Sequence, residues 1–205
     1  MPPEGTVYIV DDDSAVRQSV RFLLTSVRLQ SETFASANEF LAKLEGGIPE
    51  AGACVVLDVR MPGMSGLELQ EKLARRGSPM PVILVTGHGD VPMAVRAMKA
   101  GAYGFLTKPY QDQELLDLVN GALAHEASQR DAAEHRRLAR ERAGRLTQRE
   151  VEVMALVVDG LANKQIAASL GVAEKTVESH RASIMRKMEA DSLAQLVRMS
   201  IAAAE

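Results

Sequence analysis

The chain has one cysteine, Cys54, no tryptophan and few aromatic side chains. A single cysteine excludes a disulfide framework within one chain and favours a reducing compartment, the cytoplasm. Absent tryptophan and scarce aromatics weaken any case for a platform that stacks single-stranded bases. No apolar run approaches the roughly 20 residues that span a bilayer, and the amino-terminal stretch lacks a basic-then-apolar signal pattern, so no membrane partner is expected. Net charge is −3, so no global basic field announces nucleic acid, although a local basic surface stays open. No G-x-G-x-x-G follows the first apolar run, which removes support for dinucleotide binding.

What is present is 205 residues, enough for one large or two small domains. The first half is organised around Ala53-Cys54-Val55-Val56-Leu57-Asp58. Five apolar residues run without alternation and end on one carboxylate, as in a strand buried on both faces of a parallel sheet. A buried helix segment would read alike, but Pro62-Gly63 ends the run too early. Short apolar runs also lie at 6–10 and 82–86, and 30–34 and 104–107 read as two further strands, all separated by segments of helical periodicity. Val16, Val20, Leu23, Leu24 and Val27 form one such stripe. Ser36 to Glu39 and Ser65 to Glu68 read as capping boxes, and Asp90 as the cap of a helix with Pro92 in its first turn. Strands alternating with helices predict a doubly wound parallel sheet.

Four of these five strands end on polar groups: Asp11-Asp12, Asp58, Thr86 and Lys108. A lone aspartate could merely stop a strand. In a parallel sheet, however, all these ends meet at the edge where α/β folds bind ligands. Three converging carboxylates repel, and a hard divalent cation such as Mg²⁺ relieves that. With Lys108 as a point charge and Thr86 as a hydroxyl donor, the set suits phosphoryl transfer to Asp58. Arg60 and His88 lie two residues beyond Asp58 and Thr86, where they would either flank a phosphoryl pocket or be plain exposed loop residues.

Val10-Asp11-Asp12-Asp13, Leu57-Asp58-Val59-Arg60-Met61-Pro62, Lys108-Pro109 and the stretch from Thr86-Gly87-His88 to Val95 resemble the receiver domain of bacterial response regulators, over residues 4–124. The 86–102 stretch is especially similar to the FixJ branch. The resemblance implies a flavodoxin-like five-stranded sheet and phosphorylation of Asp58 by a sensor histidine kinase. It implies one Mg²⁺ held by Asp11, Asp12, Asp58 and the Arg60 main-chain carbonyl. Thr86 and Phe105 match its switch positions, Lys108 its phosphate-contacting lysine, and a cis bond is implied before Pro109. Asp13 has no role in that pattern beyond charge at a helix N-terminus.

Residues 111–142 contain no proline and carry an apolar stripe that thins after Ala124. They predict one helix of about 30 residues, roughly 45 Å long, with 125–143 as a linker. Glu126–Arg130 and Glu141–Arg145 have favourable i,i+4 spacing on a solvated face.

Residues 144–205 predict four helices. Thr147 to Glu150 is a capping box, and Val151, Met154, Ala155 and Val158 are the expected buried stripe of the first helix. Helices at 163–170 and 174–188, broken by Gly171, suggest helix-turn-helix. Eight basic and eight acidic residues in 145–205 leave a protein-docking bundle open as the alternative. At 100° per residue Val177, Ile184 and Met188 share an inward face with His180 at its edge, while Lys175, Glu178, Ser179, Ala182 and Arg186 point outward. Gly160 to Ala167 with Lys175 to Arg181 resembles the LuxR-type helix-turn-helix of the NarL/FixJ regulators. The expected contacts to double-stranded promoter DNA are Lys164, Lys175, Thr176, Ser179, His180, Arg181, Ala182, Arg186 and Lys187. Two family resemblances in one chain imply a phosphorylation-activated transcriptional regulator and not an enzyme that turns over a phosphorylated intermediate. RNA polymerase is an expected partner. A homodimer is expected on phosphorylation, through the surface of the 90–101 helix and the 104–107 strand.

Overall fold

The computed structural model describes residues 5–87 and 91–204. Five strands form one parallel sheet: β1 (Thr6–Val10), β2 (Gln30–Phe34), β3 (Ala53–Asp58), β4 (Val82–Thr86) and β5 (Gly104–Thr107), in the order β2-β1-β3-β4-β5. Every pairing is parallel, so all carboxyl ends lie on one edge. β3 is central, and all six of its residues are buried. Alternate side chains feed two cores. Tyr8, Val10, Val55 and Leu57 face α2 (Ala37–Glu45) and α3 (Gly66–Arg75). Val7, Ile9, Cys54 and Val56 pack with α1 (Ser14–Ser26) and the first part of α5 (Asp112–Ala143). Each such Val, Leu or Ile contributes about 1.5–3 kcal/mol of burial, which is why this sheet holds its edge in place. Burial pushes the Cys54 thiol up to about 12, so it stays an apolar filler at neutral pH.

The predicted strands and helices form, with two local differences. Ser36 accepts from the Glu39 N–H at 3.2 Å, but the Glu39 carboxylate reaches past it to the Ala35 N–H at 2.7 Å. The expected reciprocal box is therefore half made. The boxes at Ser65 and Thr147 are complete. Asp13 caps α1, its Oδ1 accepting from the Ala15 N–H at 2.8 Å and the Val16 N–H at 3.4 Å. α4 (Val91–Lys99) has Pro92 in its first turn, while Asp90 and His88 lie outside the described residues.

α5 runs for 32 residues and buries Leu115, Val119, Ala122 and Leu123 in its first half. The chain divides into two compact units between Arg130 and Asp131, within this helix. Both predicted i,i+4 pairs form, Glu126–Arg130 at 3.2 Å and Glu141–Arg145 at 2.8 Å.

The second unit contains α6 (Gln148–Val158), α7 (Asn163–Leu170), α8 (Glu174–Met188) and α9 (Leu193–Ala204). Their core is Val153, Met154, Val157, Ile166, Val177, Ile184, Met188 and Leu196. The buried stripe of α6 is Glu150, Val153, Met154 and Val157 rather than the expected 151, 154, 155 and 158. Val151 and Ala155 are exposed. The face is turned by about one residue, or 100°: Val153 and Val157 fill the core, and Glu150 on the same face is satisfied by partners on α8.

Among the described residues, no helix is long and apolar enough to cross a membrane.

Candidate functional site

Asp11 follows β1, Asp58 ends β3, Thr86 ends β4 and Lys108 follows β5, so the parallel register alone gathers them at one edge. Asp11 and Asp58 are only 4% and 7% exposed, and Thr86 is fully buried. Lys108 Nζ donates to Asp11 Oδ2 and to Asp58 Oδ1, both at 2.8 Å. The Arg60 N–H donates to Asp58 Oδ2 at 2.7 Å, and the Asp13 N–H to Asp11 Oδ1 at 2.8 Å. The four carboxylate oxygens thus each hold a donor. Arg17 adds a 2.7 Å bond to the Asp11 carbonyl. Lys108–Pro109 is a cis peptide bond, as the family resemblance implied.

Burial pushes the Asp58 carboxyl above its ordinary range; the Lys108 hydrogen bond and charge pull it back without cancelling the effect. Burial alone would lower the Lys108 ammonium, but its bonds to Asp11 and Asp58 outweigh that and raise it. These are the signatures of a desolvated ion pair at a concave edge.

The expectation of three converging carboxylates is corrected in one respect. Two are joined directly through Lys108, and Asp12 is exposed. Among the described residues no three acidic, histidine or cysteine side chains close into a cage. The repulsion that called for a divalent ion is partly relieved by Lys108. The donors at this edge are still hard oxygens, the chemistry Mg²⁺ takes, and Mg²⁺ is usually held by one or two carboxylates with several retained waters.

Arg60 is exposed, and Phe105 is partly buried against the Leu57 side of the sheet. Two contributors escaped sequence reasoning. The first is the Arg60 N–H, a main-chain group that no residue type advertises. The second is Gly66, the first residue of α3. A Cβ there would collide with the Asp58 carbonyl oxygen and stand 3.0 Å from Val59 Cα. Glycine lets the helix start abut the strand that carries Asp58. Its signal in sequence was a poor helix former placed directly after a cap residue.

In the second unit, α7 and α8 are separated by a short turn at Gly171. Val177, Ile184 and Met188 are buried as expected, and Lys175, Glu178, Ser179, Ala182 and Arg186 are exposed. Lys164 and Thr176 are exposed, and His180 and Arg181 are half-buried. Lys175 lies 3.5 Å from Glu178 in an exposed pair of little energetic weight. Lys187 departs from expectation: its Nζ is bonded to buried Glu150 at 2.6 Å, so its charge is already neutralised.

A buried carboxylate held by lysine at the carboxyl edge of a doubly wound sheet, in one chain with a helix-turn-helix unit, is the arrangement of a receiver joined to a DNA-binding domain. Residues 7–120 match the response regulator receiver domain, and residues 144–200 match the bacterial regulatory proteins of the luxR family. The chain belongs to the FixJ/NarL type of response regulator, with a receiver and a LuxR-type DNA-binding domain in one polypeptide. It is 47% identical to the transcriptional regulatory protein FixJ of Azorhizobium caulinodans, over 99% of this chain and 95% of that one. It is 43% identical to the response regulator protein TodT of Pseudomonas putida, over 96% and 85%. Among solved structures, the response regulator StyR matches with a TM-score of 0.82 at 47% identity, over 97% and 98% of the two chains. Full-length FixJ from B. japonicum matches with a TM-score of 0.61 at 41% identity, over 98% and 97%.

Proposed function

We propose that this chain is a cytoplasmic, phosphorylation-activated transcriptional regulator. In this reading residues 4–124 are the receiver, 125–143 a linker helix and 144–205 the DNA-binding domain. A sensor histidine kinase is the phosphodonor. One Asp58 carboxylate oxygen forms a bond to phosphorus as the bond from phosphorus to the kinase imidazole breaks. Asp11, Asp12, Asp58 and the Arg60 carbonyl would hold Mg²⁺, on which receiver domains generally depend. Bound there, the ion supplies neutralisation of phosphoryl charge. The observation that carries the reading is the Lys108 ammonium bridging Asp11 and Asp58. It fixes the acceptor carboxylate before reaction and leaves a cation beside the three oxygens that arrive. The Arg60 N–H orients the other acceptor oxygen. In this reading the chain carries out only its own phosphorylation and slow dephosphorylation.

Thr86 and Phe105 are the switch between this edge and the α4–β5 surface. Val91, Val95 and Met98 stand on one face of α4 and are 77%, 47% and 49% exposed. Such an apolar stripe supports dimerisation. Dimerisation presents two copies of α8 to two half-sites of promoter DNA, with Lys175, Ser179, Ala182 and Arg186 toward the groove and Lys164, Thr176, His180 and Arg181 beside them. RNA polymerase is the downstream partner. The test is mass-spectrometric mapping after treatment with a small phosphodonor and Mg²⁺. One phosphoryl group on Asp58, absent from Asp58→Asn, supports the assignment; equal uptake by Asp58→Asn contradicts it.

A further inference from the structure

Glu150 is 4% exposed, yet it is charged and sits in the first turn of a helix. Its carboxylate binds two elements. Oε2 accepts from the Thr147 N–H at 2.7 Å and the Thr147 hydroxyl at 2.9 Å, which ties it to the start of α6. Oε1 accepts from Ser183 Oγ at 2.6 Å, and Oε2 from Lys187 Nζ at 2.6 Å. Ser183 and Lys187 are four residues apart, one above the other on successive turns of α8. Two anchors on one row of a helix fix both its rotation and its position along its axis.

That row adjoins the outward face. Ser183 and Lys187 each follow an outward residue, Ala182 and Arg186, and so lie about 100° round the helix from it. A rotation of α8 by about 20° would move a side-chain tip at about 5–6 Å radius by about 2 Å. Such a shift breaks a base-edge hydrogen bond, whose useful range is only a few tenths of an ångström. The close packing of Val177, Ile184 and Met188 sets the inward face of α8, and the two polar anchors add a directional restraint beside it.

We propose that Glu150, Ser183 and Lys187 form a clamp that fixes the rotation of α8 on α6 and thereby sets which base edges α8 reads. Lys187 is then a positioning residue and not a phosphate contact. This rests on the DNA-binding reading above.

The experiment uses phosphorylated full-length protein and a duplex that the wild type selects from a random-sequence pool. Affinity is measured for that duplex and for random duplex, across a salt series. Lys187→Met, with unchanged helical circular dichroism, is expected to lose about tenfold of its preference for the selected duplex, the size of one lost base contact. Its salt slope should stay at the wild-type value, and Lys187→Arg should keep the preference. Ser183→Ala removes only a hydroxyl and provides a second folded variant; a smaller loss in the same direction is expected. The clamp is overturned if both folded variants keep full preference. It is also overturned if Lys187→Met loses equally on both duplexes and its salt slope drops by about one, as a phosphate contact would. A wild-type protein that selects no duplex overturns the DNA-binding reading itself, and does so in a separate arm.

Discussion

Lys108 Nζ and Asp58 Oδ1 are 2.8 Å apart, although 50 residues separate them in the chain. The same ammonium is 2.8 Å from Asp11, so one cation holds two carboxylates that would otherwise repel. Lys108 therefore competes with any metal for these oxygens. Lys108→Met should raise the Mg²⁺ affinity of the unphosphorylated protein, because the site gains a net negative charge. It should also slow the response of the α4–β5 surface. Calorimetric Mg²⁺ titration checks the first part; an affinity that falls or stays unchanged would remove Lys108 as the neutralising group.

Gly66→Ala forces a methyl group into the Asp58 carbonyl oxygen. The start of α3 must move, at a cost of about 1–3 kcal/mol in stability. The end of β3 should move with it, so phosphoryl uptake should slow at least about tenfold. Gly63 supplies the control. It has φ of 80°, and nothing lies within 4 Å of where its Cβ would stand, so Gly63→Ala is strained without touching Asp58. Uptake by Gly63→Ala should stay near wild type while denaturant midpoints of both variants fall. Equal uptake by the two variants would mean that the contact at Gly66 does not position the acceptor.

The Glu150 carboxyl is held well below the usual range, at about 2, chiefly by hydrogen bonds from Lys187 and Ser183 and then from the Thr147 N–H. A group whose folded-state value is depressed stabilises fully above its unfolded value. That contribution should be present above about 4.5 and be lost as pH falls toward about 2. Lys187, Ser183 and Thr147 are the polar groups that face it, and only Lys187 is charged. The stability difference between wild type and Glu150→Ala should therefore be greatest near neutrality and shrink through that window. Urea unfolding followed by helical signal at several pH values measures it, and a difference that does not depend on pH would assign the loss to packing alone.

β3 and β4 were legible because each is an apolar run stopped by an aspartate or threonine, and burial on both faces leaves no alternation to confuse; β2 is polar and half exposed and was legible only from its place between two helical segments. Parallel pairing then carried Asp11, Asp58, Thr86 and Lys108 together without knowledge of any contact. Long-range pairing of polar groups was less legible. Glu150 looked like a cap because its Thr147 partner is three residues away, whereas Ser183 and Lys187 are 33 and 37 away. That hidden pairing let a charged residue join the buried face of α6 and removed Lys187 from the free cations. The Arg60 N–H and the close approach at Gly66 are main-chain features, which side-chain patterns do not encode. The outward face of α8 was legible because helical periodicity alone separates it from Val177, Ile184 and Met188.

Val95→Glu places a charge in the exposed apolar stripe of α4. It should take up one phosphoryl group as wild type does, yet sediment as a monomer. A phosphorylated Val95→Glu protein that sediments as a dimer would move the interface elsewhere.

Control of DNA binding by Asp58 is tested most directly by the affinity of full-length protein for a selected duplex, before and after a small phosphodonor with Mg²⁺. Wild type and Asp58→Asn are compared at one salt concentration. Wild-type affinity should tighten by roughly 100-fold or more, as expected when two weak bindings become linked in one dimer. Asp58→Asn should not change. Wild-type affinity indifferent to the phosphodonor, or Asp58→Asn tightening as much as wild type, would contradict that control.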